Sequence, residues 1–133
     1  MERTPYGFLL VSLGGFLGAV ARHAVDVGVG GVLAAVWSGG GPTVLGGTAT
    51  GAGTLVANVA GSFALGLLLT RASGDRTRLF VGTGALSSFT TYSTFVSDAV
   101  ALGTPAGAWY VAVSYATGFA AAALGLAVGG RDR

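Results

Sequence analysis

The chain has 133 residues, 52% of them hydrophobic and only 9% charged, with a mean hydropathy of +0.73. Soluble domains carry about 25% charged residues, so this composition cannot cover a globular surface, and a net charge of +2 is too small to argue for a nucleic-acid partner. Cysteine is absent, which excludes a disulfide framework and thiol chemistry.

The few charges are clustered. None lies between Arg3 and Arg22 or between Asp26 and Arg71, and only Asp98 interrupts the run from Leu79 to Gly130. A bilayer core is crossed by about 20 apolar residues in a helix, so these gaps predict an all-α membrane protein: a single transmembrane domain over 1–133 with four spans. The first span covers about 5–23 and carries Gly14 and Gly18, a GxxxG step that lets two backbones approach closely in lipid. It lacks a convincing small-residue cleavage site and reads as a retained span, not a signal peptide. Residues 24–37 can continue it as helix, and 38–53, rich in Gly and Thr around Pro42, reads as a loop or broken connection. The second span covers about 53–70. A short turn with Arg71, Asp75, Arg76 and Arg78 leads into the third, about 79–102, which Gly103-Thr104-Pro105 ends. The fourth covers about 106–129, with Arg131-Asp132-Arg133 behind it.

Arginine counts set the expected orientation. With the N-terminus inside, Arg3, Arg71, Arg76, Arg78, Arg131 and Arg133 fall on the inner side and Arg22 alone on the outer. That bias predicts a multi-pass protein of the cell membrane with both termini cytoplasmic.

Polar side chains in a span are functional hypotheses, because hydrocarbon cannot satisfy their hydrogen bonds. Thr54, Asn58 and Ser62 recur every four residues on one face of the second span. They form either a polar seam between helices or a row of donors along a pore. The third span is mostly Gly, Ser, Thr and Tyr from Gly82 to Phe95. Such a stretch is a candidate for a mid-span break, where free carbonyls can coordinate a cation; the alternative is a kinked helix whose hydroxyls bond its own carbonyls. Tyr92 and Phe95 are three apart and share a side. Tyr110, Ser114 and Gly118 share a face of the fourth span.

Three segments together carry a family resemblance. Gly15-Phe16-Leu17-Gly18-Ala19-Val20-Ala21-Arg22-His23 resembles the GGxxGAxxRY of the CrcB/Fluc fluoride channels. Gly53-Thr54-Leu55-Val56-Ala57-Asn58 followed by Gly61-Ser62-Phe63 resembles their GTLxxNxxGSF, and Thr90-Thr91-Tyr92-Ser93-Thr94-Phe95 their TTFSTF. The resemblance spans most of the chain apart from about 24–50. It implies an antiparallel, dual-topology-type dimer with two pores and a structural sodium ion at its centre. On that likeness Asn58 donates its amide to fluoride, and Tyr92 and Phe95 turn electropositive ring edges to the anion. Thr91 and Ser93 add hydroxyls, Thr54, Tyr110 and Ser114 continue the polar track, and Arg22 attracts anions at the vestibule. The backbone carbonyls of Ser87 and Thr90 hold the sodium. Fluoride is small and strongly hydrated, so entry requires several donors in place of its water, while release requires that no fixed full charge hold it. The expected role is passive fluoride export that lowers the cytoplasmic concentration, and no enzymatic activity.

The chain departs from the pattern at Tyr92, where the family has Phe, at Ser87-Ser88, where it has a Gly pair, and at His23, where it has Tyr. Its arginine bias also favours one orientation, whereas a single-gene antiparallel homodimer must insert both ways. The partner is therefore a second copy or, on this bias, a homologous subunit of opposite topology. A non-conducting scaffold or partner subunit is the first rival. A small multidrug-type exporter is the second, and it requires an embedded carboxylate to couple protons, whereas Leu9 to Ala21 contains no acid.

Overall fold

The computed structural model describes residues 5–36, 51–72 and 74–131, and every element in them is helical. α1 spans Pro5–Val36 and α2 spans Ala52–Arg71. α3 covers 75–89 in three parts: a turn at Asp75–Thr77, a π-helical run at Arg78–Leu86 and a last turn at Ser87–Phe89. α4 is Tyr92–Leu102 and α5 is Ala106–Gly129. Among the described residues three stretches are long and apolar enough to cross a membrane: Pro5–Leu33, Ala52–Arg71 and Ala106–Gly129. α1 continues well past Arg22, as the composition of 24–37 allows. The connection expected at 38–50 lies outside the described residues.

The helices pack through glycine because lipid gives them no hydrophobic reason to associate, so close backbone contact has to do it. Gly14 and Gly18 of α1 face the carbonyls of Phe80 and Ala85 on α3. Gly84 answers from α3: a Cβ there would lie 2.8 Å from the Val11 carbonyl and 3.0 Å from Gly14 Cα. α2 and α5 repeat the device. A Cβ on Gly66 would come within 3.0 Å of the Leu126 nitrogen, and one on Gly125 within 2.9 Å of the Leu67 nitrogen.

The distribution of side chains is the reverse of a soluble domain. The buried apolar residues are mainly small, among them Ala52, Ala57 and Ala121, with Phe95 and Tyr110 the large members of that group. Phe8, Phe16, Val100, Trp109 and Phe119 are all at least 66% exposed. An exterior of large apolar groups around an interior of small ones suits a hydrocarbon solvent.

Charge separates along the bundle. The Arg76 guanidinium lies 5.4 Å over the Tyr6 ring, joining the starts of α1 and α3, and Arg71 donates to the Val128 carbonyl at 3.4 Å, joining the ends of α2 and α5. Arg71, Arg76, Arg78 and Arg131 therefore gather at one end. Arg22 lies away from them, near the start of α2.

Candidate functional site

The helix runs to Phe89, with the Thr90 N–H still donating to the Leu86 carbonyl at 3.0 Å, and a new helix starts at Tyr92. Thr90 (φ −80°, ψ 154°) and Thr91 (φ −146°, ψ 125°) are extended. Both conformations are open to any L-residue, and Ser87 keeps an ordinary helical backbone at φ −64°, ψ −29°. The serines that replace a glycine pair therefore fit this interruption without strain.

Asn58, 33 positions away on α2, holds it in place. Its Nδ2 donates to the Thr91 carbonyl at 3.0 Å, and its Oδ1 accepts from the Thr91 N–H at 2.8 Å. Both backbone groups of the extended residue are satisfied by one side chain, as buried peptide groups require. The small face of α2 permits the approach: Gly61, one turn on, lies against the Thr90 methyl and, for a Cβ, 3.4 Å from the Phe89 ring.

The hydroxyls around the break are also engaged. Thr91 Oγ1 caps α4 by accepting from the Thr94 N–H at 3.3 Å and donates to Thr94 Oγ1 at 3.0 Å, with Ser93 Oγ at 3.4 Å. Thr90 Oγ1 turns back to the Leu86 carbonyl at 2.9 Å, and Ser87 Oγ to that of Gly82 at 3.2 Å. In an uninterrupted helix the N–H of Thr91 would bond the Ser87 carbonyl and that of Thr94 the Thr90 carbonyl. Both donors are diverted, one to Asn58 and one to the Thr91 hydroxyl. The carbonyls of Ser87 and Thr90 thereby lose their helical partners, which fits their use as ligands for a hard monovalent cation.

Beside the break runs an open groove of about 490 Å³, lined among others by Asn58, Ser62, Ser87, Thr91, Tyr92, Phe95 and Ser114. The Tyr92 and Phe95 rings lie 5.9 Å apart. Their surroundings differ: Tyr92 is 73% exposed and Phe95 is 8% exposed. Phe95 packs on Tyr110 at 5.5 Å and meets the Tyr115 ring nearly edge-on at 5.9 Å. Beyond Phe95 the lining changes. Tyr110 OH, Ser114 Oγ and Asp98 Oδ2 are buried, and none has a hydrogen-bond partner among the described residues. The Tyr110 hydroxyl faces Thr54, Ser114 and Asp98. Thr54 itself is 4% exposed. Unpartnered buried polar atoms in a native fold call for water, an ion or a ligand.

The family can now be placed. A family model described as CrcB-like protein, Camphor Resistance (CrcB) matches residues 9–127. The chain belongs to the CrcB family. Relatives carry the name fluoride-specific ion channel FluC. FluC 1 of Natronomonas pharaonis is 41% identical over 122 residues, 88% of this chain and 88% of its own length. FluC 2 of Halobacterium salinarum is 38% identical over 130 residues, 93% of this chain and 87% of its own. FluC 1 of Listeria monocytogenes is 32% identical over 131 residues, 92% of this chain and 96% of its own.

The structure brings Asn58, Thr91, Tyr92, Ser93 and Phe95 together at the break and Thr54, Tyr110 and Ser114 together at the start of α2 and α5. It assigns Asn58 a bonded role that sequence alone did not reveal. Arg22 is also engaged, its Nη1 lying 3.4 Å from Asp26 Oδ2. Asp98 is the residue that sequence reasoning passed over. The signal was available: it is the one charge between Leu79 and Gly130, a turn beyond Phe95 on the same helix.

Proposed function

We propose that this chain is a subunit of a fluoride-selective channel that lowers cytoplasmic fluoride by passive export. The observation that carries the reading is its likeness, over 88–93% of the chain, to relatives named fluoride-specific ion channels. The residue chemistry supports it. Neutral donors and aromatic edges line the groove or stand beside it: the second hydrogen of the Asn58 amide, the Tyr92 hydroxyl, the Phe95 ring and the Ser114 hydroxyl in the lining, with Ser93 at the break and Tyr110 packed behind Phe95. Several weak donors replace the water of a small anion and still release it, where a fixed cation would bind it too firmly.

In this reading α3 and α4 together form a third, broken span, giving four in all, and Arg22 draws anions to the mouth. A groove with interrupted backbone cannot face lipid, so a second subunit of opposite orientation covers it and completes an antiparallel dimer. The Ser87 and Thr90 carbonyls would hold a sodium ion at the centre, which supplies positive charge and ties the two subunits together. The six arginines on one side against one on the other favour a single orientation with cytoplasmic termini. The partner is then a homologous subunit inserted the other way.

Fluoride efflux from liposomes holding this protein, alone and with a candidate partner, tests the reading against a chloride control. Fluoride loss without chloride loss supports it, and loss only on mixing supports the two-subunit form. Silence in both, with folded protein, favours the scaffold. Terminal tags found on both sides of the membrane would refute the single orientation.

A further inference from the structure

The end of the bundle that carries Arg22 holds a carboxylate, Asp26, that the channel reading does not use. Arg22 Nη1 pairs with Asp26 Oδ2 at 3.4 Å across one turn of α1, and both side chains are about one-third exposed at 30% and 35%. The other carboxylate oxygen turns to α2. A Cβ on Gly53 would lie 2.6 Å from Asp26 Oδ1 and 2.9 Å from Asp26 Cα, so only glycine admits this contact. The first turn of α2 has no acidic residue of its own, and Gly51 before it provides no side-chain cap. Asp26 thus supplies from α1 the negative charge that a helix N-terminus attracts.

The polar track ends here as well. Thr54, next to Gly53, is 4% exposed, and a Cβ on Gly51 would lie 2.9 Å from the Tyr110 ring. Three charges therefore meet at this end of the bundle: the full positive charge of Arg22, about half a positive charge from the α2 N-terminus, and the full negative charge of Asp26. Their sum is weakly positive, near one half, and without Asp26 it would be about three times larger.

We infer that Asp26 is a positioning and charge-setting residue for anion entry, which holds Arg22 against α2 and keeps the mouth weakly positive. The inference rests on the channel reading. It implies a channel whose entry rate is restrained by its own carboxylate, favouring release over capture.

The test measures initial fluoride efflux at subsaturating fluoride, in the assembly that conducts, at ionic strengths of about 10 mM and about 1 M. Debye lengths of about 30 Å and 3 Å separate the two conditions. Asp26→Asn is expected to speed efflux about two- to fivefold at low salt and to converge on the unmodified protein at high salt. Arg22→Gln is expected to slow it with the same salt dependence, the double variant to run faster than Arg22→Gln at low salt, and Asp26→Glu to stay closer to the unmodified protein than Asp26→Asn. A purely structural Asp26 would give a loss independent of salt, and that result overturns the inference. So does an Asp26→Asn variant no faster than its parent at low salt. If Asp26→Asn does not assemble, Arg22→Gln decides alone: slowing that salt does not relieve overturns the inference. An unmodified assembly that passes no fluoride at either salt overturns the channel reading itself.

Discussion

Replacing Asn58 by Leu removes both bonds to Thr91 while keeping a side chain of similar volume, so what it costs is the clamp and not a cavity. The two bonds, at 3.0 and 2.8 Å, are the tertiary partners of the Thr91 carbonyl and N–H. In membrane proteins a side-chain hydrogen bond averages about 0.6 kcal/mol and reaches about 1.7. Two of them therefore place the expected loss at about 1–3 kcal/mol. The upper part of the range applies if water cannot follow from the groove, because an unpaired buried peptide group costs about 1–3 kcal/mol by itself.

Equilibrium unfolding in mixed detergent micelles, at fixed protein concentration because assembly contributes to stability, measures that loss. Asn58→Ala run beside it should cost somewhat more, by the cavity it leaves. Amide exchange gives a local readout: the Thr91 N–H should exchange faster by about one to two orders of magnitude, since 1.4 kcal/mol corresponds to about tenfold. If Asn58→Leu unfolds within about 0.5 kcal/mol of its parent and still loses fluoride efflux, the clamp argument is refuted. Asn58 would then serve the anion alone.

Further expectations follow from the same contacts. Gly84→Ala puts a methyl 2.8 Å from the Val11 carbonyl, a backbone atom that cannot yield, and should destabilise by about 1–3 kcal/mol; Gly28→Ala meets nothing within 4 Å and should gain up to about 1 kcal/mol from helix propensity, both read by the same unfolding assay. Thr91→Val keeps the shape but removes the cap on α4, at a cost of about 1 kcal/mol, seen as a lower thermal midpoint. Tyr110→Phe and Ser114→Ala delete hydroxyls that have no partner among the described residues, so unfolding free energy should hold or rise while fluoride efflux falls. A stability loss above about 1 kcal/mol in either would mean that the hydroxyl is bonded in the fold.

The helical class and the apolar stretches expected at about 5–23, 53–70 and 106–129 were legible because hydrocarbon imposes a length and a ban on charge that composition displays directly. The close packing of Gly14 and Gly18 was legible in kind, since glycines four apart in a span have few other uses. Their partner was not: the surface they meet, at Phe80 and Ala85, is defined only once α3 has wound as a π-helix. Asn58 stood out as a polar residue in an apolar helix, but its spacing with Thr54 and Ser62 could not distinguish a donor in a pore from a brace on a backbone 33 residues away. Arg22 read as a free cation because its partner, one turn on at Asp26, follows the point where the apolar run ends. Asp98 stood out only as a charge that interrupts an apolar run. Its neighbours are unremarkable in sequence, and only the approach of α5 buries its carboxylate beside Tyr110.

The interruption divides the chemistry of the site between its backbone and its side chains. Two N–H groups that break from the helical ladder find acceptors nearby: Thr91's at Asn58 and Thr94's at the Thr91 hydroxyl. Diverting those two donors leaves the carbonyls of Ser87 and Thr90 without their helical partners, which on the proposed reading suits them to a cation. An anion passing the same region needs hydrogen-bond donors. Side chains on α4 and α5 are placed to give them, with Ser93 and Tyr92 at the break and Ser114 and Tyr110 farther along, the last two still unpartnered where they are buried. A helix that ran on unbroken would offer neither surface, because its N–H and C=O groups would satisfy each other. On the channel reading the brace from Asn58 holds both surfaces in place, so its loss should appear in stability as well as in transport.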